Sequence, residues 1–113
     1  MRFPNLLTSL AASFMFAWST QASYQVAGFV DRACQIPLPN TNVSTVLSGT
    51  CDTHLYNYSS AIILHKWASP AGTITFLSGH NCGWAPHAIG YGNPDEGTCR
   101  DLGFVANAMW LIG

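Results

Sequence analysis

Gly49-Thr50-Cys51 recurs as Gly97-Thr98-Cys99, and the reading of the whole chain turns on this repeated triplet. Cys51 lies 17 residues after Cys34, and Cys99 lies 17 after Cys82, so corresponding cysteines are offset by 48. Parallel features surround the two triplets. Tyr24–Val30 and Thr73–Leu77 read as opening strands from their β-branched and aromatic residues. Turn-rich loops follow, one with Pro37, Pro39 and Asn40, the other with Pro86, Gly90 and Gly92. Ala88-Ile89 is the only strand expected in the second loop. Ser60–Lys66 and Ala108–Ile112 are apolar closing strands, each with an early alanine (Ala61, Ala108). His54–Tyr58 and Leu102–Ala106 read as connections. Phe29 lies 5 residues before Cys34 and Phe76 lies 6 before Cys82, which implies a one-residue shift between the opening strands.

The pattern is one unit written twice, over 23–66 and 73–113, with a linker at 67–72. A four-stranded unit has an apolar face that it cannot bury alone, and two units packed face to face bury both. The expectation is an all-β, two-sheet Greek-key sandwich of two similar units stapled by two disulfides. Cys34, Cys51, Cys82 and Cys99 allow three connectivities. Equal spacing favours Cys34–Cys51 and Cys82–Cys99, each stabilising by about 3 kcal/mol in the chain-entropy account. A Cys34–Cys99 bridge would contradict the two-unit reading.

The disulfide reading requires export, and the N-terminus supplies it. Arg2 precedes an apolar run from Leu6 to Trp18, and Thr20-Gln21-Ala22 offers small residues at a cleavage site. The run is too short to span a bilayer. Residues 1–22 therefore read as a secretory signal peptide, and 23–113 as a single secreted domain of 91 residues. In that domain Arg32, Lys66 and Arg100 oppose Asp31, Asp52, Asp95, Glu96 and Asp101, a net charge of −2. No basic stripe exists to hold nucleic acid or anionic lipid. Asn42-Val43-Ser44 and Asn57-Tyr58-Ser59 fit the N-glycosylation pattern, Asn42 in the better loop context.

Residues on both sides of the second hairpin resemble a known family. Phe76-Leu77-Ser78-Gly79-His80-Asn81-Cys82-Gly83 is similar to the opening hairpin of βγ-crystallin-type domains. Tyr56-Asn57-Tyr58-Ser59-Ser60-Ala61-Ile62-Ile63 is similar to their serine-bearing turn before the closing strand. The resemblance covers Tyr24 to Gly113 and extends to small secreted cysteine-containing proteins of fungi, of effector or antimicrobial type. It implies a crystallin-like sandwich that acts by binding. The family's calcium pattern is not matched. Asn57-Tyr58-Ser59-Ser60 has one amide and short spacing, and Val105-Ala106-Asn107-Ala108 has no serines, whereas calcium needs six to eight oxygen ligands.

Several side chains could carry chemistry. His80, Cys82 and His87 have metal-like spacing, but a disulfide removes Cys82 as a ligand, so no metal or other cofactor is expected. His54, His65, His80, His87, Glu96 and Arg100 are the parts of a small ribonuclease, with no local spacing to assemble them. That reading requires a histidine within about 4 Å of Glu96 or another carboxylate in a cleft. No catalytic residue is assigned. The recognition candidate is the loop from Gly83 to Asn93, with Trp84, His87 and Tyr91, because stapled aromatics bury contact area at low entropic cost. Packing of Trp84 on the disulfide and of Tyr91 on the sheet edge is the structural alternative. Met109 and Trp110 belong to the core. The function expected is therefore secreted, non-enzymatic binding by a monomer. Its partner would be an extracellular or host protein or glycan, with no nucleic acid and no membrane span. A secreted ribonuclease-type hydrolase and a cell-wall structural protein are the alternatives.

Overall fold

The computed structural model describes residues 22–68 and 71–113, and the signal-peptide reading lies outside these except at Ala22. Ala22, where the leader is read to end, is buried, and its carbonyl accepts the Ser48 N–H at 2.9 Å. Eight strands follow: β1 (Ser23–Phe29), β2 (Val43–Leu47), β3 (Cys51–Asp52), β4 (Tyr58–Trp67), β5 (Thr73–Leu77), β6 (Ala88–Gly92), β7 (Cys99–Ala106) and β8 (Ala108–Ile112). The described residues form no helix, and hence none long and apolar enough to cross a membrane.

The strands build two antiparallel four-stranded sheets, ordered β2-β1-β4-β7 and β3-β8-β5-β6. Alternation sends one side chain in two inward. Tyr24, Val26, Val46, Tyr58 and Ile63 of the first sheet thus meet Ile74, Phe76, Met109 and Leu111 of the second in one buried cluster. Tyr58 and Phe76 meet edge to face across it, with ring centroids 6.0 Å apart. Burial pushes the Tyr58 phenol up, and its hydroxyl donates to the Ala108 carbonyl at 3.0 Å. Met109 is core as expected, whereas Trp110, next to it on β8, is only half-buried.

Neither half of the chain closes on itself. β3 leaves the first half to pair with β8, and β7 leaves the second to pair with β4. The pairing repeats at the offset of 48 seen in the cysteines. Val26↔Ile63 corresponds to Ile74↔Leu111, and Gly28↔Ala61 to Phe76↔Met109. Ile62↔Cys99 corresponds to Trp110↔Cys51. The position matching Phe76 is therefore Gly28, and that matching Ala61 is Met109, so the apparent one-residue shift between the opening strands disappears in the ladders. The offset falls to 47 only at the hairpin strands, where Ala27↔Val43 corresponds to Thr75↔Gly90. The repeated triplets also occupy matching places. Gly49 (φ 81°) donates its N–H to Leu111 O at 2.7 Å, and Gly97 (φ 83°) donates to Ile63 O at 2.9 Å. Left-handed backbone at these turns is natural for glycine and strained for other residues.

Strand exchange overturns the expected disulfide pairing and, with the Cys34–Cys99 bridge, the reading of two units that each close locally. The bridges are Cys34–Cys99 and Cys51–Cys82, with Cα separations of 6.0 and 5.8 Å. The physical reason lies in the sheet order. The segment after β1 folds over β4, placing Cys34 Sγ 3.8 Å from Ala61 O and bringing it to β7 on the far side. The segment after β5 folds likewise over β8, with Cys82 Sγ 3.7 Å from Met109 O, and reaches β3. Each bridge thus ties an exchanged edge strand to its host sheet. The reading of Leu102–Ala106 as a connection is also corrected, since these residues continue β7. Gly103 (φ 82°) and an irregular register between Tyr58 and Ser60 disguise that strand in sequence. The strand expected at Ala88-Ile89 extends to Gly92, so Tyr91 lies in a strand and not in a loop.

Proteolytic mapping without reduction should yield peptides joined through Cys34–Cys99 and through Cys51–Cys82. A peptide joining Cys34 to Cys51 would refute the exchanged arrangement. The loops closed span 65 and 31 residues. Removing either bridge by paired Cys→Ala substitution should lower the unfolding free energy by about 4 kcal/mol in the chain-entropy account.

Candidate functional site

The segment between β1 and β2 is held by a short relay of polar contacts. The Asp31 carboxylate accepts the N–H groups of Ala33, Gln35 and Ile36 at 2.8 to 3.2 Å. These bonds, that from Ile36 first, hold its acidity stronger than an ordinary aspartate's. Ser60, fully buried on β4, donates its hydroxyl to Asp31 O at 2.6 Å and accepts the Cys34 N–H at 3.1 Å. The loop then returns to β1, with the Leu38 N–H donating to Gly28 O and Asn42 O accepting the Gly28 N–H. Gly28 is buried, and a Cβ there would lie 3.1 Å from Leu38 Cδ1 and 3.2 Å from Leu55 Cδ1. The bare backbone lets those two leucines pack over β1.

A cavity of about 420 Å³ opens above this packing. Val30, Leu38 and Pro39 supply its apolar lining. Asn40, Thr41, His54, Tyr56 and Asn57 supply its polar and aromatic lining. Tyr56 stacks on His80, with centroids 5.1 Å apart and planes 12° apart. Asn57 takes a left-handed backbone (φ 59°), and its N–H donates to Asn107 Oδ1 at 2.7 Å.

His54 is the most constrained polar group of the lining. Asp52, buried on β3, accepts the His54 backbone N–H at 3.0 Å and lies 3.1 Å from Nδ1. The Ser44 hydroxyl on β2 donates to the same carboxylate at 3.0 Å. Ser44 Oγ also lies 3.4 Å from Nδ1. Both oxygen partners therefore sit on one ring nitrogen. A nucleophile relay needs the carboxylate on one nitrogen and the hydroxyl on the other. The arrangement instead orients the ring. A carboxylate only accepts, so Nδ1 is the nitrogen that donates, and Nε2 takes neither oxygen partner. Asp52 held no assigned role in the sequence reading. The i, i+2 spacing of Asp52 and His54 was its available signal, since such residues share one face of extended chain.

The residues singled out in the sequence are not gathered at this cavity. Trp84 is 72% exposed. His87 is tied by backbone bonds to Ser78 and stacks on Phe104, centroids 5.7 Å apart. Tyr91 is half-buried, edge to face with Phe76 at 6.1 Å, and the Arg100 guanidinium lies 4.9 Å from its ring centroid. The four histidines have four different partners. His65 Nδ1 lies 3.5 Å from Glu96 Oε2 in an exposed pair, and the same oxygen accepts the Lys66 N–H at 2.9 Å. Two histidines thus lie within 4 Å of a carboxylate, but only His54 borders the described cavity. Asn42 and Asn57 are both exposed. Among the described residues no three His, Cys, Asp or Glu side chains group as metal ligands, and Cys82 is bonded to Cys51.

No family model, curated protein or solved structure significantly matches the chain.

Asp52→Ala should lower stability by about 1–3 kcal/mol, because the buried Ser44 hydroxyl loses its acceptor. Chemical unfolding of the variant checks this, and an unchanged midpoint would show that the carboxylate anchors nothing. Stability should also depend on acid. Asp31, through its backbone donors, and Asp101, through Arg32 at 3.0 Å, both titrate below the ordinary aspartate value. A depressed folded-state value stabilises the fold above the unfolded value, and that contribution is lost as pH falls through the folded one. The thermal midpoint should therefore decline between about pH 5 and pH 2, and the Asp31→Asn, Asp101→Asn double variant should flatten that decline.

Proposed function

We propose that the chain is an exported, crystallin-like sandwich of two Greek-key units that acts by binding, in the manner of small secreted effector or antimicrobial proteins of fungi. The register repeated at an offset of 48 supports two similar halves, which exchange their third strands and do not close separately. Ser60, tying the folded segment after β1, supports the crystallin likeness, since it belongs to the stretch Tyr56 to Ile63 on which that likeness rests. Two disulfides in a small domain are compatible with an extracellular setting.

One observation carries the binding reading. The cavity presents an oriented histidine, an aromatic ring and two amides, while the hydroxyl nearest the histidine sits on the nitrogen already claimed by Asp52. This is a set of groups for holding a ligand. The hydrolase alternative retains the His54–Asp52 pair, 3.1 Å apart at a cavity. For a ribonuclease the cavity lining lacks Lys and Arg to balance a phosphate, and Arg100 lies over Tyr91.

Labelled protein should bind saturably to host tissue or to competing microbial cells, and Tyr56→Ala, at an exposed ring, should remove that binding with the fold intact. Binding to neither, or multiple-turnover cleavage of RNA that is lost in His54→Ala, would overturn the proposal.

A further inference from the structure

The lining of the cavity above Gly28 narrows the ligand class. Val30, Leu38 and Pro39 offer an apolar surface. Tyr56 is 54% exposed with one face against His80, so the ring is held in orientation while part of it stays open to a ligand. Asn40 and Asn57 each offer a donor and an acceptor, Thr41 a hydroxyl, and His54 the ring nitrogen that Asp52 leaves unbonded.

Charge is the deciding feature. No Lys, Arg, Asp or Glu is in the lining. The Asp52 carboxylate behind it already receives Ser44 Oγ, the His54 N–H and His54 Nδ1. Arg32 is paired to Asp101, and the Lys66 ammonium donates to Asn93. A phosphorylated or sulfated ligand would find no Lys or Arg in this lining, and a cationic one no Asp or Glu. A lipid tail would leave the amides and the histidine unpaired, which costs binding energy. The complement of an aromatic face beside amides, a hydroxyl and an imidazole nitrogen is a molecule with an apolar C–H face and a rim of hydroxyls. The volume of about 420 Å³ lies within the range of about 300–1,000 Å³ typical of small-molecule sites.

From this we infer that the cavity is a binding site for a neutral saccharide, with Tyr56 as the stacking face and His54 Nε2 hydrogen-bonded to a sugar hydroxyl. The inference rests on the binding reading above and names the ligand class of that same site. Asp52 and Ser44 act as positioning residues, holding the imidazole so that Nε2 is the nitrogen left for the ligand.

Titration of the full exported domain with neutral oligosaccharides of glucose, mannose, galactose and N-acetylglucosamine, followed by amide chemical shifts, tests it. At least one sugar should give saturable shifts confined to residues 38–41 and 54–57. Tyr56→Ala and His54→Ala should each weaken that binding by about tenfold or more, with dispersed spectra retained. Asp52→Asn should weaken it less than His54→Ala, and it keeps the inference falsifiable if His54→Ala fails to fold. No shifts up to about 10 mM of any sugar would overturn the assignment. So would shifts elsewhere on the surface, or binding only of sulfated oligosaccharides that salt abolishes. If cell binding lost in Tyr56→Ala persists while every sugar fails, the ligand class is wrong and the binding reading stands; if both fail, both fall.

Discussion

The reciprocal exchange of β3 and β7 is the constraint on which the rest of the structure depends. β3 has only two residues, so the ladder that ties it to β8 is short. A covalent clamp offsets that weakness. Cys51 opens β3 and is bonded to Cys82, which the loop after β5 carries across β8. The same construction, displaced by 48 residues, clamps β7 through Cys34 and Cys99. Each bridge closes a longer loop than an intra-unit bridge would, and so restricts the unfolded chain more. The core follows from the exchange, because Cys99 can lie beside Ile62, and Cys51 beside Trp110, only when each half lends its third strand to the other.

The same device prepares the candidate site. Carrying Cys34 across β4 obliges the segment after β1 to fold back over its own sheet. Asp31 and Ser60 satisfy the backbone groups that this fold would otherwise leave unpaired. The returning chain then passes over Gly28, where the absent side chain leaves room for Leu38 and Leu55. The cavity lies between that returning loop and the connection from β3 to β4, and Asp52, at the end of the exchanged strand, orients His54 within it. The strand that needs the disulfide is also the strand that supplies the orienting carboxylate.

Some of this was legible in the sequence. β-branched alternation identified the opening strands, and apolar runs the closing ones, because burial of one sheet face leaves a period of two. β7 was hidden because Gly103 and the irregular register of β7 against Tyr58–Ser60 break that period. The site was less legible. Trp84, His87 and Tyr91 stood out by residue type, yet Tyr91 lies in a strand under Arg100 and His87 rests on Phe104. Asp52 and His54 carried a signal in their i, i+2 spacing, but only if Asp52 was known to end a strand.

The sequence by itself determined that the chain is β-rich, that it holds paired cysteines, and that a segment recurs at an offset of 48. Those properties reside in local alternation, residue counts and spacing, which do not depend on which strand neighbours which. Tertiary structure alone decided the disulfide partners and the site. Spacing along the chain measures contour and not contact, and Gly-Thr-Cys delivers its cysteine to an exchanged strand, where the nearest partner belongs to the other half.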